Sequence, residues 1–227
     1  MEIVQSRTRE PWKAFEIRQR KPELKREVLL KTAAHLFLEH GYRKTSMNDL
    51  ADRLNITKPA LYHYFKNKED ILVGCYQHGI ASIEARLKRA GGTAGSGVEK
   101  TRAFVHAYVD AVVSLDFGQC VATLDDAELS PSARAAVRKL KRRIDSTLRH
   151  FIEEGIADGT IQPCNSKLAS FAIAGAINWI GTWYDPSGAL QGKEIVENYT
   201  RLLVDGLNTC TGTNAFKKTL AREAKKR

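Results

Sequence analysis

Residues 46–65 read SMNDLADRLNITKPALYHYF, and this stretch limits the fold of the chain more tightly than any other. Ser46 is a good N-cap, because its side-chain oxygen can accept from a backbone N–H one turn on, and Asp49 suits the positive end of the helix that follows. Leu50, Ala51 and Leu54 fall on one face at helical spacing. Asn55 ends this helix, since Asn tolerates the left-handed conformation that a helix terminus needs. Ile56 plugs the corner, Thr57 caps a second helix, and Pro59 fits its first turn at little cost. Leu61 and Phe65 recur four apart and face inward, which leaves Lys58, Ala60, Tyr62 and His63 pointing elsewhere and Tyr64 near the edge. This is the layout of a helix-turn-helix, whose second helix lies in the major groove of DNA. Two short amphipathic helices joined by a turn also occur in all-α proteins that touch no nucleic acid, so spacing alone does not decide between them.

Charge narrows the choice. The chain of 227 residues carries a net charge of +10, unevenly spread. Residues 1–70 contribute +5, residues 71–213 are balanced, and residues 214–227 contribute +5. The first excess shares its segment with the helix-turn-helix, as expected where a polyanion displaces counterions. The second, on the tail AFKKTLAREAKKR, is explained as well by a solvated charged end.

Around this motif the chain reads as helix after helix. Residues 1–22 lack sustained periodicity and are expected to form a flexible basic arm, of the kind that can track phosphates beside a docked helix. From Glu23 to Gly41 an apolar side is built from Leu24, Val28, Ala33, Leu36 and Phe37, and Gly41 closes the helix. After Phe65, Asn67 can cap a further helix whose first turn holds Lys68, an awkward charge there unless an anion is near.

With these elements in place, residues 24–72 resemble the N-terminal domain of the TetR family of bacterial transcriptional regulators. The matching runs are AAHLFLEHGYRKTS, MNDLADRL and ITKPALYHYFKNKEDIL, the last carrying the specific LYHYFKNKE motif. The resemblance departs at Asn55, where the family commonly has Gly. It implies a DNA-binding domain over 23–70, an effector-binding and dimerisation domain over 71–211, and a basic tail over 212–227. It also implies that Thr57, Lys58 and Ala60 meet base edges, with Lys58 suited to guanine and the methyls of Thr57 and Ala60 to thymine. Tyr62, Tyr64 and Lys68, with Thr45 and Ser46, match positions that usually contact phosphates and set register. His63 shares the outward set.

Beyond the reader, GGTAGSG at 91–97 is expected to be a flexible connector, since no Gly-Lys-Ser/Thr follows it. Helices are expected from Val98 to Leu115, from Ala122 to Glu128, from Ser130-Pro131 to about Ile156, from Ser166 to about Tyr184 and from Lys193 to Leu207. The third bears Arg134, Arg138, Lys139, Lys141, Arg142, Arg143 and Arg149 opposite its apolar stripe, a solvated face or a site for an anionic effector. Phe104, Tyr108, Phe117 and Trp179 are candidates for an effector pocket, although aromatic residues serve a core equally well. The family resemblance implies a homodimer through the last two helices, where Ala172, Ala176, Trp183, Tyr199 and Leu203 are the candidate contacts. The pattern around Trp179, Trp183, Pro186 and Gly188 also resembles branches that answer to acyl-CoA esters. The effector expected is therefore an acyl-CoA or another small hydrophobic metabolite.

Other classes find little support. Cys75, Cys120, Cys164 and Cys210 form no C-x-x-C pair and lie at no metal-ligand spacing from a histidine, so reduced thiols and no metal or cofactor are expected. A redox pair among them is the alternative. No apolar run is long enough to span a membrane, and the N-terminus lacks signal-peptide character, so a cytoplasmic protein is expected; with six dispersed histidines, no distinguished carboxylate pair and no phosphate-cradling loop, a non-enzymatic regulator is expected too. The rival classes are a DNA-processing enzyme, with Asp125-Asp126-x-Glu128 as its metal cluster, and an architectural DNA binder without an effector.

Overall fold

Each helix end is set by residues within one turn of it. The computed structural model describes residues 22–206, apart from Gly91, Thr93, Leu115, Asp116, Asp125, Asp126, Glu128 and the side chains of residues 22–24. Among the described residues nine helices follow one another without a strand, the all-α architecture expected. Helix α1 (Pro22–His40) closes at Gly41, whose φ of +85° gives the left-handed step beyond the helix. Helix α2 (Met47–Arg53) opens with a capping box: the Asp49 N–H donates to Ser46 Oγ at 3.2 Å, and the Ser46 N–H to the Asp49 carboxylate at 2.7 Å. That backbone N–H, with the Ser46 hydroxyl second, holds the Asp49 carboxyl below its usual range. The helix ends in a Schellman turn, with Asn55 at φ +52°: the Asn55 N–H donates to Asp52 O and the Ile56 N–H to Ala51 O, both at 3.0 Å. Thr57 then caps α3 (Lys58–Tyr64) by accepting from the Ala60 N–H at 3.3 Å. Asn67 caps α4 (Lys68–Arg89) by accepting from the Asp70 N–H at 2.8 Å.

The head formed by α1 to α3 buries Leu30, Phe37, Leu50, Leu54, Leu61 and Phe65. Helix α4 leaves this head and continues without a break into the body, packing on α1 and then on the helices beyond. Its Ile71, Leu72, Tyr76, Ile80 and Ile83 are buried in a core that runs on through both parts. The boundary expected at 70/71 therefore falls inside the first turn of α4. In the body, α5 (Gly97–Val113) is central, with α6 (Phe117–Thr123), α7 (Pro131–Ala157), α8 (Ser166–Trp183) and α9 (Gly192–Asp205) packed against it.

Two expectations are corrected. The short helix expected from Ala122 occupies Phe117–Thr123 instead. Phe117, Cys120 and Val121 bury one face at i, i+3 and i+4 against α4, and the helix is over where Leu124 O accepts the Tyr76 hydroxyl. The glycine run, expected to be a flexible connector, ends in a tight crossing. A Cβ on Gly97 would stand 1.9 Å from the backbone nitrogen of Gly155, so the start of α5 and the end of α7 touch backbone to backbone. The crossing is held by the Gly97 N–H donating to Asp158 Oδ2 at 2.7 Å and the Val98 N–H to Thr160 Oγ1 at 3.2 Å. The N-terminal arm, the tail and Cys210 lie outside the described residues, as do all three carboxylates of the proposed nuclease cluster.

Candidate nucleic-acid interface and ligand cavity

Helix α3 turns Leu61 inward, with Phe65 just beyond its end, and by the helical period this sends Lys58 and Tyr62 out on one face. Lys58 is exposed and holds no partner among the described residues, while Tyr62 is 45% exposed. His63 is also exposed, its ring edge-on to Tyr64 at 5.3 Å, and Tyr64 is half-buried against the core. Thr57 is exposed and committed to its cap, and Ala60 is half-buried beside it. Ser46 is exposed, with its hydroxyl in the capping box.

Two of the residues expected at phosphates are engaged with the protein itself. Thr45 is only 2% exposed, and its hydroxyl donates to Gly41 O at 3.0 Å and Leu36 O at 3.4 Å. It satisfies the carbonyl end of α1 instead of facing a phosphate. Lys68 does not wait for an external anion. Its ammonium donates to Tyr42 O at 2.8 Å and to Arg43 O at 3.4 Å, and lies 4.2 Å from the Tyr42 ring centroid. The lysine pins the α1–α2 turn to the start of α4, which answers the electrostatic objection to a cation there. Lys68→Ala is expected to weaken DNA binding and lower the melting temperature while leaving the salt dependence of binding unchanged, because no phosphate contact is lost. A salt slope reduced by about one per head would return Lys68 to the phosphate-binding set.

Further contacts tie the head to the body. Glu69, in the first turn of α4, accepts from the Ser130 N–H at 2.6 Å and from the Ser130 hydroxyl at 2.8 Å, so the N-cap of α7 is clamped to the helix that follows the reader. These two bonds, the backbone one first, hold the Glu69 carboxyl below its usual range. The clamp is therefore complete at neutral pH and loosens only as the pH falls through that lowered value.

Between α5, α6, α7 and α8 lies a cavity of about 210 Å³. Phe104 and Tyr108 line it from α5, and Val121 and Ala122 from α6. Lys141, Ile144, Asp145 and Leu148 line it from α7, and Phe171, Ala174 and Asn178 from α8. Of the four aromatic residues expected at a pocket, Phe104 and Tyr108 are there. Phe117 is buried elsewhere, its ring 5.0 Å from that of His78, and Trp179 faces out. Burial pushes the Tyr108 hydroxyl well above its usual range, so it is a neutral donor, used on Asn178 Oδ1 at 2.6 Å. The basic face of α7 is largely engaged with the protein itself. Arg143 pairs with Glu84 at 2.6 Å, Arg149 with Asp145, and Arg134 donates to loop carbonyls.

Along α8, Leu168, Phe171, Ala172, Gly175, Trp179 and Trp183 form one stripe at helical spacing. Leu168 is 64%, Phe171 52% and Trp179 62% exposed, a concentration of large apolar groups that calls for cover. Of the residues expected at an interface, Ala172 and Trp183 lie in this stripe and Ala176 is half-buried beside it. Tyr199 and Leu203 of α9 are half-buried against the core, with the Tyr199 ring 6.2 Å from Trp183. Leu168, Phe171 and Trp179 were not assigned to this surface from the sequence, though their i, i+3, i+11 spacing was readable. The sequence placed Glu69 in the LYHYFKNKE motif without pointing to Ser130, and nothing in it singled out Tyr42 or Asn178.

Among the described residues no three metal-ligating side chains cluster, and no helix is long and apolar enough to cross a membrane. A helix-turn-helix head, joined by one continuous helix to a larger helical body, defines a DNA-binding transcriptional regulator. The chain belongs to the TetR family: residues 29–75 match "Bacterial regulatory proteins, tetR family" and residues 94–207 match "Tetracyclin repressor-like, C-terminal domain". It is 24% identical to the transcriptional repressor KstR2 of Mycolicibacterium smegmatis over 200 residues, covering 84% of this chain and 94% of the relative. The solved TetR-family regulator PfmR from Thermus thermophilus is 30% identical, with a TM-score of 0.70 over 80% of this chain and 99% of its own. AibR, solved with isovaleryl coenzyme A and operator DNA, is 26% identical, with a TM-score of 0.71 over 79% of this chain and 97% of its own.

Proposed function

We propose that the protein is a ligand-released repressor that reads a palindromic operator as a homodimer. The observation that carries this reading is the coupling of an outward Lys58–Tyr62 face to an apolar cavity through α4 and the Glu69–Ser130 clamp. Helices α6 and α7 both line the cavity and both hold the first half of α4, so a ligand that spreads them biases the reading head. The stripe on α8 is the face on which a second copy would pack, presenting two reading helices to two half-sites.

The proposed effector is a small hydrophobic molecule or an acyl-CoA. An apolar cavity of about 150 Å³ holds benzene, so 210 Å³ suits a short acyl group but not a coenzyme A nucleotide. That part would lie outside the cavity. The relative AibR, solved with isovaleryl coenzyme A, supports this class.

Binding-site selection with the full chain should return an inverted repeat, and a panel of acyl-CoA esters and hydrophobic acids should contain a compound that releases it. Selection of an asymmetric site, or of no preferred site, would sink the operator reading; release by nothing tested would count against effector control. Trp179→Glu should yield monomers in light scattering and lose about 10²-fold or more in operator affinity, since the second head no longer adds avidity.

A further inference from the structure

The polar groups around the cavity are nearly all committed to the protein. Asp145 accepts from the Ser170 hydroxyl at 2.8 Å and pairs with Arg149. The Lys141 ammonium lies 5.0 Å from the Tyr76 ring centroid, and the Tyr108 hydroxyl proton is used on Asn178 Oδ1 at 2.6 Å. That last bond orients the Asn178 amide, because its carbonyl end is the one turned to Tyr108. The other end, Nδ2, has no protein partner among the described residues and is not walled in as a buried orphan atom. Asn178 itself lines the cavity, so this unpartnered amide end belongs to a wall shared with the apolar Phe104, Val121, Ile144, Leu148 and Phe171 and with the engaged Tyr108, Lys141 and Asp145. An amide donor facing an apolar cavity is under-satisfied until an acceptor arrives.

We propose that Asn178 is the specificity-determining residue of this cavity, donating an N–H to the carbonyl oxygen of an otherwise apolar ketone, ester or thioester. The proposal rests on the reading of the cavity as the effector site. It leaves the Lys141 ammonium over the Tyr76 ring and the carboxylate of Asp145 to the protein, so the site favours a neutral carbonyl over a free amine or a hydrocarbon. In a cavity without a donor the hydrocarbon would win, because a carbonyl leaves its hydration behind on entry.

The test uses two probes of one shape, acetophenone and α-methylstyrene, which differ in C=O against C=CH₂. Calorimetric titration of the full chain gives the ratio of their affinities in Tyr108→Phe and in Tyr108→Phe/Asn178→Leu, so that no Tyr108 hydroxyl freed of its Asn178 acceptor replaces the lost donor. The ratio should shift by about tenfold toward the hydrocarbon in the double variant, the fold-change of one net hydrogen bond. If that double variant does not fold, Tyr108→Phe/Asn178→Met, which also lacks an N–H donor and carries no ionisable group, should shift the ratio in the same direction. A ratio unchanged to within about twofold, with both probes still bound, overturns the role of Asn178 and leaves the cavity as a ligand site. Binding of neither probe at millimolar concentration overturns the cavity reading and this proposal together.

Discussion

Lys58→Ala and Tyr62→Ala are each expected to cost the dimer roughly 30- to 10⁴-fold in operator affinity, taking ~1–3 kcal/mol per head and two heads. Neither change should disturb the fold. Lys58 is exposed at the first position of α3 without a partner among the described residues, and Tyr62 is 45% exposed on the same face. The inward residues of the same helix and its C-cap, Leu61 and Phe65, are untouched by either substitution. Fluorescence anisotropy across several salt concentrations separates the two modes of contact. If Lys58 reads a guanine edge, its loss relaxes the preference at one operator position and leaves the others intact. If it neutralises a phosphate, affinity falls on every sequence and the salt slope drops by about one per head. Unchanged affinity in both variants, with melting temperatures intact, would remove this face from the reading site.

Gly97→Ala is expected to be among the most damaging single-methyl additions in the protein. The new Cβ would meet Gly155 N at 1.9 Å and Gly155 Cα at 2.2 Å, and backbone cannot rotate aside as a flexible side chain can. The two helices must separate, which pulls on the Gly97 N–H bond to Asp158 and on the Lys100–Glu154 pair at 3.0 Å. Overpacking of this kind costs ~1–3 kcal/mol or more. In a chain of this size that lowers the melting temperature by roughly 2–12 °C. Differential scanning calorimetry on the ligand-free protein is the measurement, and a transition within about 1 °C of wild type would mean that the crossing is looser than its geometry. Because the α5–α7 crossing also frames two walls of the cavity, ligand affinity should fall with stability.

The reading head was legible in the sequence because its geometry is written in short-range contacts. Ser46 bonds Asp49, Thr57 bonds Ala60 and Asn67 bonds Asp70, each across three residues, and Asn55 takes the left-handed conformation its side chain tolerates. The apolar period of α3 is enough by itself to mark Lys58 and Tyr62 as outward. The intramolecular partners of Thr45 and Lys68 were not legible, since a polar residue near a helix start looks identical in sequence whether its side chain meets water, DNA or another part of the chain. It also read GGTAGSG by composition, and glycine is chosen both for freedom and for close approach.

What the sequence determined alone is the succession of helices, the caps of the reading head and which face of its helices is apolar, all properties decided within about one turn. The tertiary structure decided where the functional groups point. Lys68 finds Tyr42 across 26 residues, Glu69 finds Ser130 across 61, and Tyr108 finds Asn178 across 70. No periodicity registers such pairs, because they exist only once packing has set the helices side by side. The cavity itself is of this kind: four helices each bring part of its wall, and its polarity is settled by which of those side chains the protein has already satisfied.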